Sequence, residues 1–362
     1  MLRRLWSHLL LGTVSFITAS AWLVGGVQSQ AGTMVEPWID TSNRTAVAVA
    51  FASEYGHSTP SMDWSGNYEG CEPGESSRRL ASATVRRVNF YRAMAGVPAG
   101  VILNPEFSEK AQHAALAMSA TGRLSHTPDD SFSCLSQTAS EAAANSNLYL
   151  GRTGPQAIDG YIEDPGDRNR DVGHRNTILH PPTTEIGVGH VEGSSSAYPA
   201  NALWVFDEGV FDDNPPLREP EGFVAWPPRG FVPPELIYPR WSFGLLNADF
   251  DNASVSMTSD GEQIPIEIVA RLSKKGYVPS PIIVWEPVAD PGPVDPDIDP
   301  GVADGEAAEE GESEQPGLLA FDAAYDTTYD IVVSGVVVDG AEVSFVYSVV
   351  VMGDEPRPSA VG

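Results

Sequence analysis

Positive charge is scarce in this chain beside negative charge. Lys and Arg together number 21 against 49 Asp and Glu, leaving a formal net charge of -28 over 362 residues. A phosphate backbone is held by clustered cations, so nucleic acid is excluded as a partner. The same charge keeps the chain soluble and repels anionic surfaces. Chemistry-bearing signatures are also scarce. No Gly-x-Ser-x-Gly elbow surrounds Ser125, no phosphate-binding glycine loop occurs, and no His-Glu-x-x-His pair is present. These absences weigh against a serine hydrolase, a nucleotide-binding enzyme and a metalloprotease of the short-motif kind.

Cysteine is rarer still, with only Cys71 and Cys134. Neither sits where a lipid-modified export signal would need it. Arg3 and Arg4 precede an uncharged apolar run over residues 9–27, and Val27-Gln28-Ser29 fits a small-x-small cleavage site. Residues 1–29 therefore read as an export signal. The competing reading is an uncleaved anchor, because the run approaches the roughly 20 residues that span a bilayer. Export predicts a secreted or envelope-surface protein with no membrane span once the signal is removed. It also predicts a Cys71–Cys134 bridge rather than two buried thiols, since exported thiols oxidise. Closing a loop of about 60 residues would contribute ~4 kcal/mol in the chain-entropy model.

With 42% hydrophobic residues the remainder reads as two folded domains. A helix-like run occupies 45–54 within an N-terminal extension, 30–76, expected to pack on the first of these domains. In 77–95 the apolar positions Ala81, Val85, Val88 and Ala95 recur at helical spacing. Asn104 caps the next helix, Pro105 takes its first position, and Phe107, Ala111, Ala114 and Met118 form its apolar stripe up to Gly122. Shorter helices are predicted over 140–147, 155–164 and 172–179, the last stopped by Pro181-Pro182. Alternation then predicts strands over 185–192 and 202–207, which makes 77–212 an α+β domain.

From about residue 220 to 354 short β-like runs dominate, at 241–250, 253–258, 264–272, 282–285, 329–338 and 343–351. Asp339-Gly340 reads as a hairpin turn between the last two. This spacing predicts an all-β, immunoglobulin-like sandwich. It is interrupted by an acidic loop at 287–317, whose segment 290–315 holds ten acids and no Lys or Arg. Such a composition predicts disorder, as it does for a flexible tail at 355–362. Calcium binding there would need ligands at regular spacing, which the segment lacks.

Two histidines and several acids lie at helix edges between residues 126 and 174: His126, Glu141, Glu163, Asp164 and His174. Imidazole and carboxylate together suit Zn²⁺ or another divalent cation, or acid–base work near neutral pH. Read from spacing alone, they suit surface and cap positions equally well.

A family resemblance runs through the same stretch. Val88-Asn89-Phe90-Tyr91-Arg92, Ala111-Gln112-His113-Ala114-Ala115-Leu116-Ala117-Met118 and Leu124-Ser125-His126 occur in order. After them come Gly173-His174-Arg175-Asn176-Thr177-Ile178-Leu179 and Glu185-Ile186-Gly187-Val188-Gly189. This order resembles the bacterial CAP superfamily, which includes cysteine-rich secretory proteins, antigen 5 and pathogenesis-related proteins. The resemblance implies an α-β-α sandwich with a cleft over its sheet, lined by two histidines and two acids that often hold a divalent metal. Carried over by motif, His126 and His174 match the histidines, Glu141 the first acid, and Glu163 or Asp164 the second. Ala142 stands where the family has Asn, and residues 167–171 lengthen the loop before Gly173.

Three functions stand as expectations. The first is an exported binding module whose cleft takes a small apolar molecule, a lipid, a glycan or an envelope component. The second is a metal-dependent hydrolase with Glu141 as its base. The third is a surface adhesin or spacer in which the β-sandwich binds. A further expectation is that Arg92, Arg175 and the acids form a buried network that fixes helix packing.

Overall fold

The computed structural model describes residues 38–206, 222–273, 279–288 and 325–353. The expected export signal, the acidic segment 290–315 and the tail from 355 lie outside the described residues. Among the described residues no helix is long and apolar enough to cross a membrane.

Local signals place the helices. Asn43 accepts from the Ala46 N–H to start α1 (Arg44–Ala50), which runs on as one π-helical turn over Phe51–Tyr55. Ser77 caps α2 (Arg78–Met94) through the Leu80 N–H. Asn104 caps α3 (Pro105–Thr121) through Phe107, and Gly122 ends it at φ 73°, a left-handed conformation that glycine adopts without steric cost. The short helix predicted over 140–147 lies earlier, as α4 (Gln137–Ala144) capped by Ser136. Its expected last turn is instead a strand, β2 (Ser146–Leu150). Next come α5 (Pro155–Glu163) and α6 (Gly173–Ile178), the latter short because Pro181-Pro182 lie just beyond it.

Strand β2 joins β1 (Ile102–Leu103), β3 (Glu185–Val191) and β4 (Ala200–Trp204) in the order β1-β3-β4-β2. Period-two alternation divides this sheet between two helical layers. Ala200, Ala202 and Trp204 pack with Ala111, Ala114 and Ala115 of α3 and with Ala142 and Ala143 of α4. Ile186, Val188 and Leu203 face Val88, Tyr91 and Met94 of α2 and Ile158 and Tyr161 of α5. The result is an α-β-α sandwich. Gly187 and Gly189 lie on the α3 side, where any Cβ would overlap backbone atoms of Phe107 and Ala111. The Gly-Val-Gly alternation therefore lets the α3 backbone settle directly on the sheet.

The C-terminal part is all-β. One sheet contains β5 (Phe223–Trp226), β7 (Trp241–Leu245), β12 (Ile282–Pro287) and β11 (Ile266–Leu272). The other is built on β9 (Ser254–Ser259), β13 (Thr328–Val338) and β14 (Ala341–Val351), with β6 (Gly230–Val232), β8 (Ala248–Asp249) and β10 (Glu262–Ile264) at its margins. Asp339 and Gly340 both take positive φ between β13 and β14, as a two-residue hairpin turn demands. The sheets meet face to face through Trp241 on Tyr329 and Phe243 on Phe345 and Tyr347.

A single apolar cluster joins the two parts. It runs from Val88, Tyr91 and Ile178 into Trp226, Trp241 and Trp285. Tyr91 packs on Trp226 at 5.2 Å, and its hydroxyl lies 3.0 Å from that of Tyr238. The N-terminal extension binds both parts as well. Val47 enters the shared cluster, Thr41 O accepts from the Phe231 N–H, and Arg44 pairs with Asp326 at 2.9 Å. Farther along the extension, Cys71 and Cys134 form the expected disulfide, with Cα atoms 5.1 Å apart. It ties the extension to the loop after α3.

Candidate functional site

α5 ends at Asp164, which takes a left-handed conformation at φ 55°. That turn points its carboxylate at the start of α6, where free N–H groups gather. Oδ2 accepts from the His174 N–H at 2.9 Å, and Oδ1 lies 2.7 Å from His174 Nδ1. The Asp164 side chain is 0% exposed and that of His174 is 22% exposed. A buried carboxylate flanked by N–H donors makes Nδ1 the protonated nitrogen and leaves a lone pair on Nε2. Among the described residues no side chain or backbone group is hydrogen bonded to that Nε2. The backbone of His174 is fixed too, since its carbonyl accepts from Asn147 Nδ2 and Thr177 Oγ1.

The floor under this imidazole is a buried hydrogen-bonded chain. Tyr161 packs on the His174 ring at 5.2 Å and donates to Asn201 Oδ1 at 2.8 Å. Asn201 Nδ2 reaches both Gly189 O at 2.9 Å and His190 Nδ1 at 3.1 Å. Nδ1 of His190 also accepts from the Gly154 N–H, so its proton sits on Nε2 and faces Thr84 Oγ1 at 3.2 Å. Burial without an anionic partner drives the His190 pKa down to about 3. This histidine is therefore neutral and structural. Its position on a strand, where alternation sends it toward α2, is the one sequence signal that could have marked it as buried.

The other residues singled out from the sequence have partners of their own. His126 places Nδ1 2.9 Å from the Ala143 carbonyl. Glu141 is 48% exposed and pairs with Lys110 of α3 at 2.8 Å. Glu163 faces Arg152 at 3.6 Å and offers only its backbone carbonyl to Arg175. Asp164, not Glu163, is the acid brought to His174. Among the described residues no three His, Cys, Asp or Glu side chains are placed to hold a metal ion.

The expected buried network takes a different form from ion pairing with these acids. Arg92, 0% exposed, spends its guanidinium on the carbonyls of Pro98, Ile178, His180, Pro181 and Thr183. It anchors the crossing from α6 to β3. Arg175 is equally buried, and desolvation lowers its pKa to about 10, so it stays cationic at neutral pH. It too donates to carbonyls. Away from this region, a groove of about 710 Å³ runs between α1 and α2, lined in part by Trp38, Val49, Ala50 and Phe90. Its volume suits a small-molecule ligand, and none of His126, Glu141, Glu163, Asp164 and His174 lines it.

Compared with known proteins, residues 85–207 match the CAP family, the cysteine-rich secretory protein family. The match runs from within α2 to just beyond β4 and includes His126, Glu141, Asp164 and His174. No curated protein matches the chain.

Proposed function

From a CAP domain at residues 85–207, we propose that this chain is an exported binding protein. Its cleft engages a small apolar, lipid, glycan or cell-envelope ligand without covalent chemistry. The observation that carries the proposal is the Asp164–His174 pair, which presents a half-buried, oriented Nε2 acceptor to solvent. Such a group suits a hydroxyl or amide N–H on a ligand. Among the described residues no serine, threonine or cysteine is hydrogen bonded to that nitrogen, so the pair has no attached nucleophile there to activate. Hydrolysis with Glu141 as base has less support, because the Glu141 carboxylate is paired with Lys110 of α3. The disulfide and the CAP domain both suit an oxidising, exported location.

The test is a panel of oligosaccharides, wall fragments, fatty acids and sterols scored by thermal shift and titration calorimetry. A ligand at 100 times its Kd stabilises by about 2.7 kcal/mol, which is readily seen as a rise in Tm. His174→Ala should weaken a ligand that uses Nε2 by about tenfold, the worth of one net hydrogen bond. If no compound moves Tm by more than about a degree, the proposal loses its support. A ligand weakened by Val49→Glu but not by His174→Ala would move the site to the α1–α2 groove.

A further inference from the structure

The turn that presents Asp164 is held from outside the CAP domain. Between α5 and α6 the backbone carbonyls of Asp164, Gly166 and Asn169 converge on Nη1 of Arg240, at 2.9, 2.8 and 3.0 Å. Arg240 immediately precedes β7, is 9% exposed, and is braced through Nε on Glu286 of β12 at 2.8 Å. A reciprocal grip runs the other way. Arg175, next to His174, donates to Arg240 O at 2.8 Å and Ser242 Oγ at 3.2 Å. Its remaining donors hold Ile162 O and Glu163 O, the two carbonyls before Asp164. Beyond them, Asn176 and Ser280 exchange two hydrogen bonds at 2.9 and 3.1 Å. Val172 packs in one apolar cluster with Ile282 and Val284.

We infer that Arg240 of the β-sandwich is a positioning residue for the Asp164–His174 pair. The inference deepens the reading of that pair as a ligand-binding site, and it needs no ligand for its test. The physical case rests on conformation. Asp164 and Val172 both sit at positive φ (55° and 48°), which side chains other than glycine avoid. Such a turn persists only where its surroundings over-determine it. Gly166 O and Asn169 O also accept from the Asn169 and Val172 N–H groups, at 3.2 and 2.9 Å, but only the guanidinium branch of Arg240 ties both of them to Asp164 O. Remove it, and the buried Asp164 carbonyl loses its guanidinium partner while the turn is free to relax toward ordinary φ values. The carboxylate then leaves Nδ1, and the imidazole loses both its tautomer and its aim. On this account the sandwich is part of the site's frame, and the docking of the two parts decides whether Nε2 is presented.

The experiment is ¹⁵N-edited NMR of histidine side chains in the full chain, at low temperature. The His174 Nδ1–H, held on a buried carboxylate, should appear as a downfield, slowly exchanging proton that His174→Gln removes. Arg240→Gln should speed its exchange at least tenfold. Arg240→Lys, which keeps the charge but cannot reach all three carbonyls, should fall between the two. The indole N–H signals of Trp241 and Trp285 report that the sandwich core stays folded. A folded Arg240→Gln with the wild-type exchange rate would overturn the inference. Should that variant not fold, the comparison rests on Arg240→Lys, and unchanged exchange there overturns it equally. A ligand panel that finds nothing while Arg240→Gln still frees the proton would sink the binding proposal alone.

Discussion

His190 gives the sharpest test of the packing beneath the site. Its imidazole is fully buried, neutral, and titrates near 3 when folded, against about 6.5 in an unfolded chain. A folded pKa below the unfolded one contributes stability that is present above 6.5 and is lost as pH falls. The unfolded state takes up a proton that the native state refuses. Each pH unit between about 6 and 3 should therefore cost ~1.4 kcal/mol, and the fall from pH 7 to pH 4 should total about 3 kcal/mol from this residue alone. Other groups also titrate in that range, so the assay is a difference. Urea unfolding would be tracked by tryptophan fluorescence at pH 7, 6, 5 and 4, in the wild type and in His190→Gln. The glutamine keeps an acceptor for the Gly154 N–H and Asn201 but cannot be protonated. The variant should start less stable and then lose roughly 3 kcal/mol less on acidification. Parallel loss in the two proteins would refute the reasoning, because it would mean that His190 is hydrated or paired when folded.

The packing sets two further outcomes. Gly189→Ala places a Cβ against the Ala111 backbone, where no flexible side chain can yield, and should cost about 1–3 kcal/mol or more by chemical denaturation. Reducing Cys71–Cys134, whose separation is 63 residues, should lower unfolding stability by ~4 kcal/mol; a loss under about 1 kcal/mol would show that the extension is held by its other contacts.

The helices were legible because their signals are local. Ser77, Asn104 and Gly122 act within one turn of where they stand, and the apolar spacing of 77–95 and 107–118 needs nothing distant to be read. The hairpin turn at Asp339-Gly340 is local in the same sense. Strand β2 was not legible. Ser146-Asn147-Leu148-Tyr149-Leu150 comes after α4 with no Gly or Pro between, and only pairing with β4, more than fifty residues on, makes it extended. The marginal strands β5 and β6, of four and three residues, are too short to show a period of their own in the sequence.

For the site, residue types and order were enough to nominate five side chains, since imidazole and carboxylate chemistry belongs to the residue itself. Their directions were decided in three dimensions. Asp164 turned inward because a left-handed cap aimed it at α6, while Glu141 turned to Lys110 and Glu163 to Arg152. The grip of Arg240 had no sequence signal at all. Its partners are backbone carbonyls, which every residue carries, so only the tertiary fold could choose which ones to bring to a guanidinium.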